Sequence, residues 1–514
     1  MGPSARHKRR SIQKQTYLIF FGLFALLLFL SHLPLINLPY FWDEATQYIP
    51  TALDLFHDGA WIPHSVTPSV HPPGVMAYLA VFWKIAGCNP VVTRSAMLLL
   101  ASLGVLAAFL LAIALLRESR GTPALLAAAL LCASPVFFAQ AMLAQLDMPA
   151  MVFTTLALLL FLQNKIRASA AVCVALLLMK ETGLVVPLVF AGWLAYERRW
   201  RDAAWYAASA TAVFGWLAVL KLGTGYWMGN QGFAEYNLFY PLHPVRLSVS
   251  LLRRMYYLFG ANFHWVGFIA IIYAWRKSTL FSSRSWKVAW LLAGANVLAV
   301  TMLGGAVLER YILPVMPIVY TAMAAGITML PKIPQRVCAA VLLVGVAAAN
   351  FINPPYPFPY ENNLAFADFL KLQMDAADYV EHWYPDAQVS TASPTIFELT
   401  RPELGFVKQR MNVQYIRNFS PAVLDTVDWN NVQVLVAFSR SWDPPISFMH
   451  SELVQRFWRK FFGAMSNAGL RDVRTRVPFP IEQHMQRRGQ WVDIYVNPKT
   501  PRTGPAEMRR AELR

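Results

Sequence analysis

The chain has 514 residues, 56% hydrophobic and 14% charged, with a formal net charge of +17. A soluble domain carries about a quarter charged residues, whereas the apolar residues here come in blocks long enough to cross a bilayer as helix, which takes ~20 residues. The positive charge fits a membrane protein with Lys and Arg collected in cytoplasmic loops; no nucleic-acid-binding motif is present, and no nucleic-acid partner is expected.

The first apolar block, near 17–37, follows Arg6, Lys8, Arg9, Arg10 and Lys14. It is long and lacks a small-residue cleavage site, which predicts a retained helix rather than a signal peptide. Further blocks predict helices near 91–116, 122–139, 149–163, 168–180, 182–196, 203–222, 262–275, 287–304, 310–330 and 335–352, about eleven in all. The run 168–196 is divided because Lys180, Glu181 and Gly183 interrupt it, and a charged pair at mid-bilayer is costly.

With the basic segment 1–16 in the cytoplasm, the predicted inner loops hold most of the bases. These are Arg117 and Arg120; Lys165 and Arg167; Arg198, Arg199 and Arg201; Arg276, Lys277, Arg284 and Lys287; and Lys332 and Arg336. The predicted outer segments 38–73 and 140–148 hold no Lys or Arg, as the positive-inside rule requires. The long outer segment 223–261 is the exception, with Arg246, Arg253 and Arg254.

An odd number of spans places the tail outside. Residues 17–352 then form a transmembrane module with an outer loop at 38–90, and 353–514 form a soluble extracytoplasmic domain. The tail opens on Asn353-Pro354-Pro355-Tyr356-Pro357-Phe358-Pro359. A helical stretch near 361–383 follows, then β-like runs at Gln388–Thr391, Val432–Phe438 and Trp491–Val496, with an amphipathic stretch Phe448–Met465 between them. That alternation predicts a small α/β domain; it lacks a dinucleotide fingerprint. Cys132, Cys173 and Cys338 lie in apolar blocks and Cys88 near a helix end, with no metal-ligand or disulfide spacing.

Residues suited to chemistry collect at the predicted outer face. The first outer loop carries Phe41-Trp42-Asp43-Glu44 just past the first helix. Adjacent carboxylates can cap a helix, but in an acidic loop at the membrane surface one can also serve as general base. Val70-His71-Pro72-Pro73-Gly74 leads into an apolar run too short to span, Val75–Ile85, which suits the interface. Gln145-Leu146-Asp147-Met148-Pro149 opens a proline-started helix, where Asp147 is also a good N-cap. Lys180 lies at an outer turn against the charge bias; an anionic partner and a pair with Glu181 both account for it. Arg94 and the string Glu309-Arg310-Tyr311-Ile312-Leu313-Pro314-Val315-Met316-Pro317 put further bases at outer helix mouths.

At these residues the chain resembles the GT-C glycosyltransferases, in the branch with protein O-mannosyltransferases and the bacterial aminoarabinose transferase of lipid A. The carriers are Asp43-Glu44, His71-Pro72-Pro73, Asp147-Met148-Pro149, the Lys180 to Gly183 turn, and Arg310-Tyr311 with Pro314 and Pro317, over roughly residues 17–350. The resemblance implies that Asp43 is the catalytic base and that Lys180 contacts the lipid phosphate. Relatives of the aminoarabinose type have Glu-Lys-Pro-Pro where this chain has Val70-His71-Pro72-Pro73. The tail is similar to outer-face domains of bacterial members, which implies a bacterial inner membrane and a periplasmic domain.

The expected activity is an inverting transfer of a hexosyl or pentosyl group from a polyprenyl-phosphate donor to a lipid, glycan or protein acceptor. Nucleotide sugars are cytoplasmic and this site faces out. Asp43, Glu44 and Asp147 are the candidate catalytic carboxylates; His71, Arg94, Lys180, Arg310 and Tyr311 are the candidate substrate-binding residues. No cofactor is assigned with certainty; a divalent metal ion at Glu44 or Asp147 is the one candidate. A transporter or lipid flippase is the alternative, but such proteins place ionisable groups near the midplane and often show repeated halves, and no repeat is visible here.

Overall fold

The computed structural model describes residues 3–116, 122–462 and 470–502. Arg117 and Arg120, and the last residues of the amphipathic stretch read as Phe448–Met465, lie outside the described residues. The helices in chain order are α1 Pro3–His32, α2 Ile49–Asp58, α3 Gly74–Ala86, α4 Pro90–Leu115, α5 Thr122–Ala133, α6 Pro135–Gln140, α7 Asp147–Leu162, α8 Ile166–Met179, α9 Val185–Tyr196, α10 Trp200–Ser209, α11 Thr211–Thr224, α12 Gln231–Ala234, α13 Pro244–Phe259, α14 His264–Lys277, α15 Arg284–Met302, α16 Met316–Thr328, α17 Lys332–Ala348, α18 Ala365–Trp383, α19 Thr395–Thr400, α20 Pro421–Leu424, α21 Glu452–Phe462 and α22 Leu470–Arg476. The chain divides into two compact units. One is Met1–Ile36, Thr51–Gly87 and Val92–Asn350; the other is Asn37–Pro50, Cys88–Val91 and Phe351–Arg514.

The first unit is all helical. Gln15–Leu35, Pro90–Leu115, Trp200–Thr224, Arg284–Met302 and Glu309–Thr328 are each long and apolar enough to cross a membrane; α13 and α14, bent by 83° at their break, add a sixth if they act as one span. Several other apolar helices, α7 and α8 among them, are shorter. Small residues let these helices approach closely. A Cβ at Gly326 of α16 would lie 2.6 Å from the Ala270 carbonyl of α14, so only glycine fits that crossing. The α13–α14 bend is tied by His264, whose ring nitrogens bond the Tyr257 carbonyl at 2.7 Å and the Tyr320 hydroxyl at 2.9 Å. Ahead of α16, residues Glu309–Val315 wind as a 3-10 turn with Pro314 inside it. A proline N cannot donate to an α-helical ladder, which is why this segment stays tighter and irregular.

The second unit is built on a five-stranded sheet, β1 Val389–Thr391, β2 Val413–Tyr415, β3 Val434–Phe438, β4 Ile481–Arg487 and β5 Gln490–Val496, in the order β2-β1-β3-β5-β4. The β1 strand pairs parallel with β2 and β3, and β5 pairs antiparallel with β3 and β4. Every residue of β3 is buried, as for a strand covered on both faces. Arg488 and Gly489, both at positive φ, make the two-residue turn that joins β4 to β5. Asp493 of β5 is fully buried and held by Arg474 at 3.0 Å, His484 at 2.5 Å and the Tyr495 hydroxyl at 3.1 Å. The segment 37–50 joins this unit through Phe41, whose ring meets Phe366 and Phe369 of α18 edge-on at 6.0 and 5.7 Å.

Glu398, in α19, is fully buried. Burial pushes its carboxyl up to about 8, and neither carboxyl oxygen has a hydrogen-bond partner among the described residues. The folded unit therefore keeps this proton over a range where the unfolded chain, ionising near 4.5, releases it. Stability is full below about pH 4.5 and falls as pH rises to about 8. Glu398→Gln is expected to remove that slope, a relative stabilisation at pH 9 on the order of a few kcal/mol. Unfolding midpoints of both proteins from pH 5 to 9 check it; parallel curves would contradict it.

Candidate active site

In the first unit the side chains of the α6–α7 loop, the α8–α9 turn and the 3-10 turn before α16 converge. Lys180 follows the last residue of α8 with an extended backbone (φ −154°, ψ 125°), which turns its side chain off the helix. Its Nζ donates to Asp147 Oδ1 at 2.5 Å and lies 4.7 Å from the centre of the Tyr311 ring. Arg310 Nε stands 3.2 Å from Asp147 Oδ2, and Arg310 Nη1 donates to Gln145 Oε1. Lys180, Asp147 and Arg310 are all buried. Asp147 is not a helix cap: it is the first residue of α7 and makes no side-chain capping bond. Nor does Lys180 bond Glu181, which instead takes His71 Nδ1 at 3.0 Å.

Two further residues join this cluster. Arg254 of α13 is buried, donates to the carbonyls of Leu308 at 3.2 Å and Val300 at 2.8 Å, and faces the Tyr311 ring at 5.9 Å. Its neighbour Arg253 bonds the buried Glu309 at 2.8 Å. Both were missed as site residues; the signal was their position as exceptions to the charge bias in 223–261. Arg94, fully buried in α4, donates to the Met142 carbonyl at 3.0 Å and so anchors the loop that carries Gln145. Within this unit, Lys180, Arg310, Arg254 and Arg253 outnumber Asp147, Glu309 and Glu181. Burying like charges together is costly without an anion, so the cluster suits a phosphate.

The Pro72-Pro73-Gly74 turn fixes where α8 ends. A Cβ on Gly74 would collide with the backbone carbonyl of Leu178, two residues before Lys180. Gly74→Ala is expected to displace that end, lowering stability by about 1–3 kcal/mol. Melting of the purified protein checks it.

Asp43 and Glu44 lie in the second unit. Glu44 is fully buried, and its carboxylate accepts the Phe41 N–H at 2.8 Å while its own N–H donates to the Phe41 carbonyl at 2.8 Å. It pins the turn. Trp42, inside that turn, has φ 39°, a costly backbone for a bulky residue. Its ring packs at 5.6 Å from Phe369, with the Arg440 guanidinium 5.6 Å from it. Asp43, half-buried, follows directly.

A metal held by a carboxylate at the Val70 position does not fit: Val70 is apolar and buried. Asp54, Asp58 and His64 bring one ligand atom each within 4.8 Å of one another, the one such grouping among the described residues. Asp54 there accepts the N–H groups of His64 and Ser65, both at 2.9 Å, and so closes a turn.

This architecture is the GT-C fold of membrane glycosyltransferases. It is similar to ArnT from Cupriavidus metallidurans bound to undecaprenyl phosphate, with a TM-score of 0.55 at 13% identity over 95% of this chain and 99% of that one. ArnT in the apo state gives 0.53 at 13% identity, covering 94% and 98%. The archaeal oligosaccharyltransferase AglB from Archaeoglobus fulgidus, in complex with an inhibitory peptide and a dolichol-phosphate, gives 0.50 at 11% identity, covering 95% of this chain and 75% of that one. At these identities the likeness concerns the fold alone. No protein-family model and no curated protein matches the chain.

Proposed function

We propose that this protein is an inverting glycosyltransferase that takes a hexosyl or pentosyl group from a polyprenyl-phosphate donor at the outer water–membrane interface. The observation that carries the reading is the buried cationic cluster of Lys180, Arg310 and Arg254 around Tyr311, which suits the phosphate of a membrane-embedded donor. Its support from the fold is that two solved relatives in architecture hold undecaprenyl phosphate and dolichol-phosphate. The topology that goes with it has about eleven spans, a cytoplasmic N-terminus and a periplasmic α/β domain in a bacterial inner membrane.

Asp43 takes the proton of an acceptor hydroxyl or amine as that atom attacks the anomeric carbon. The bond from that carbon to the phosphate oxygen breaks, and the oxygen leaves with its electron pair. Lys180, Arg310 and Arg254 offset the charge that develops on the phosphate, so the leaving group needs no proton. Glu44 positions Asp43 by fixing the turn, and Arg94 positions the 141–146 loop. No step runs through a metal ion.

The test is incubation of purified protein in lipid nanodiscs with radiolabelled polyprenyl-phosphate sugars. Slow loss of sugar to water, in wild type and not in Lys180→Met, is the expected result. Donor movement across the bilayer with the sugar still attached would instead mark a flippase.

A further inference from the structure

The α21 helix, Glu452–Phe462, is placed unlike any other long helix of its unit. At 3.6 residues per turn, Leu453, Val454, Phe457, Trp458, Phe461 and Phe462 fall on one half of its surface. Glu452, Gln455, Arg456, Arg459 and Lys460 take the other half. In α18 of the same unit the apolar face is buried. In α21 no residue is buried, and Leu453 is 77% exposed. Phe448, in the turn just ahead, is 66% exposed as well.

The aromatic rings lie along the helix against each other, Phe457 on Phe461 at 5.1 Å and Trp458 on Phe462 at 4.8 Å. They form a continuous apolar strip rather than plugs for separate pockets. Arg456, Arg459 and Lys460 spread across the polar half, with Lys460 at one margin of the strip beside Leu453 and Gln455 at the other beside Phe462. Against these three bases stands only Glu452, which pairs with Arg456. Long basic side chains at the edges of an apolar strip can reach up to headgroup phosphates while the strip enters the acyl boundary. Bulky aromatics suit that depth, and each base near an anionic surface adds attraction.

We infer that α21 is an interfacial anchor that lies on the surface of an anionic phospholipid bilayer. This does not depend on the transfer reaction. Its occupant is the lipid surface rather than a protein groove, because the half opposite the apolar strip carries three bases against one acid, which complements a layer of anionic headgroups.

The test is hydrogen–deuterium exchange of the full chain in two nanodiscs, one of phosphatidylcholine alone and one with about a third phosphatidylglycerol. Amides of 453–462 are expected to exchange at least about tenfold more slowly in the anionic disc. That difference should vanish in the R456E/R459E/K460E variant and shrink in high salt, with exchange in α18 unchanged throughout. A second variant, F457S/W458S, should lose the protection while keeping every base. Equal exchange in the two discs would overturn the inference. So would equal protection in lipid-free detergent, which would place a protein surface over the helix.

Discussion

Asp43→Asn is expected to lower sugar transfer by ~10²–10⁴-fold, the range that general-base assistance supplies. Asn has the size of Asp and leaves in place the Glu44 carboxylate that accepts the Phe41 N–H. The fold should therefore survive, and the loss should fall on kcat with donor KM little changed. The contrast is Glu44→Gln, whose amide oxygen can still accept the Phe41 N–H and should retain most activity. Glu44→Ala frees that N–H inside a turn already carrying Trp42 at φ 39°, and should cost stability as well as rate. Membranes with equal protein levels and a mixed donor pool give the comparison. Near-normal turnover by Asp43→Asn would remove the base from Asp43.

Lys180→Met is expected to act twice. Asp147 and Lys180 form a buried pair, and removing one partner of such a pair costs about 3–5 kcal/mol; Arg310, also ion-paired with Asp147, softens the loss here. The same change removes a cation from the phosphate cluster, so donor binding should fall as well. The double variant Asp147→Asn with Lys180→Met separates the two effects. It leaves no carboxylate without its lysine but takes the ion partner from Arg310, so the melting temperature should recover only in part while transfer stays low. If transfer recovered together with stability, Lys180 would be a structural residue and the phosphate assignment would fail.

Much of the helical framework was legible because apolar blocks, charged interruptions and prolines mark their own boundaries. The break at Lys180 to Gly183 is the clearest case: the extended backbone at Lys180 sits where charge interrupts the apolar run. In the tail, the buried strands β1, β3 and β5 lie on runs with β-like composition. The β2 and β4 strands were not visible. The first is three residues long, and the second, Ile481–Arg487, is largely exposed and polar. An edge strand carries little apolar signal, because one of its sides faces water.

Asp147, Lys180, Arg310 and Tyr311 stood out in the sequence singly, but not as a set of pairings. Local spacing offered Asp147 a capping role and Lys180 a partner in Glu181. The structure pairs the two with each other across 33 positions, and gives Glu181 to His71. Only tertiary packing decides between such options. Arg254 was hidden for a related reason. On α13 the residues Ser250, Arg254, Tyr257 and Leu258 share the buried side, so a base sits among core residues at helical spacing.

A cradle whose cations outnumber its carboxylates grips the spent carrier harder than the loaded one. The proposed donor is a phosphodiester with a single negative charge, whereas the lipid phosphate it would leave behind carries up to two near neutral pH. On that reading each turnover would strengthen the attraction between the cluster and its own product. Departure of the empty lipid, rather than cleavage of the sugar bond, is then the expected slow event, and free lipid phosphate is expected to compete with the donor. The same charge that makes the leaving group easy to expel sets how long it stays.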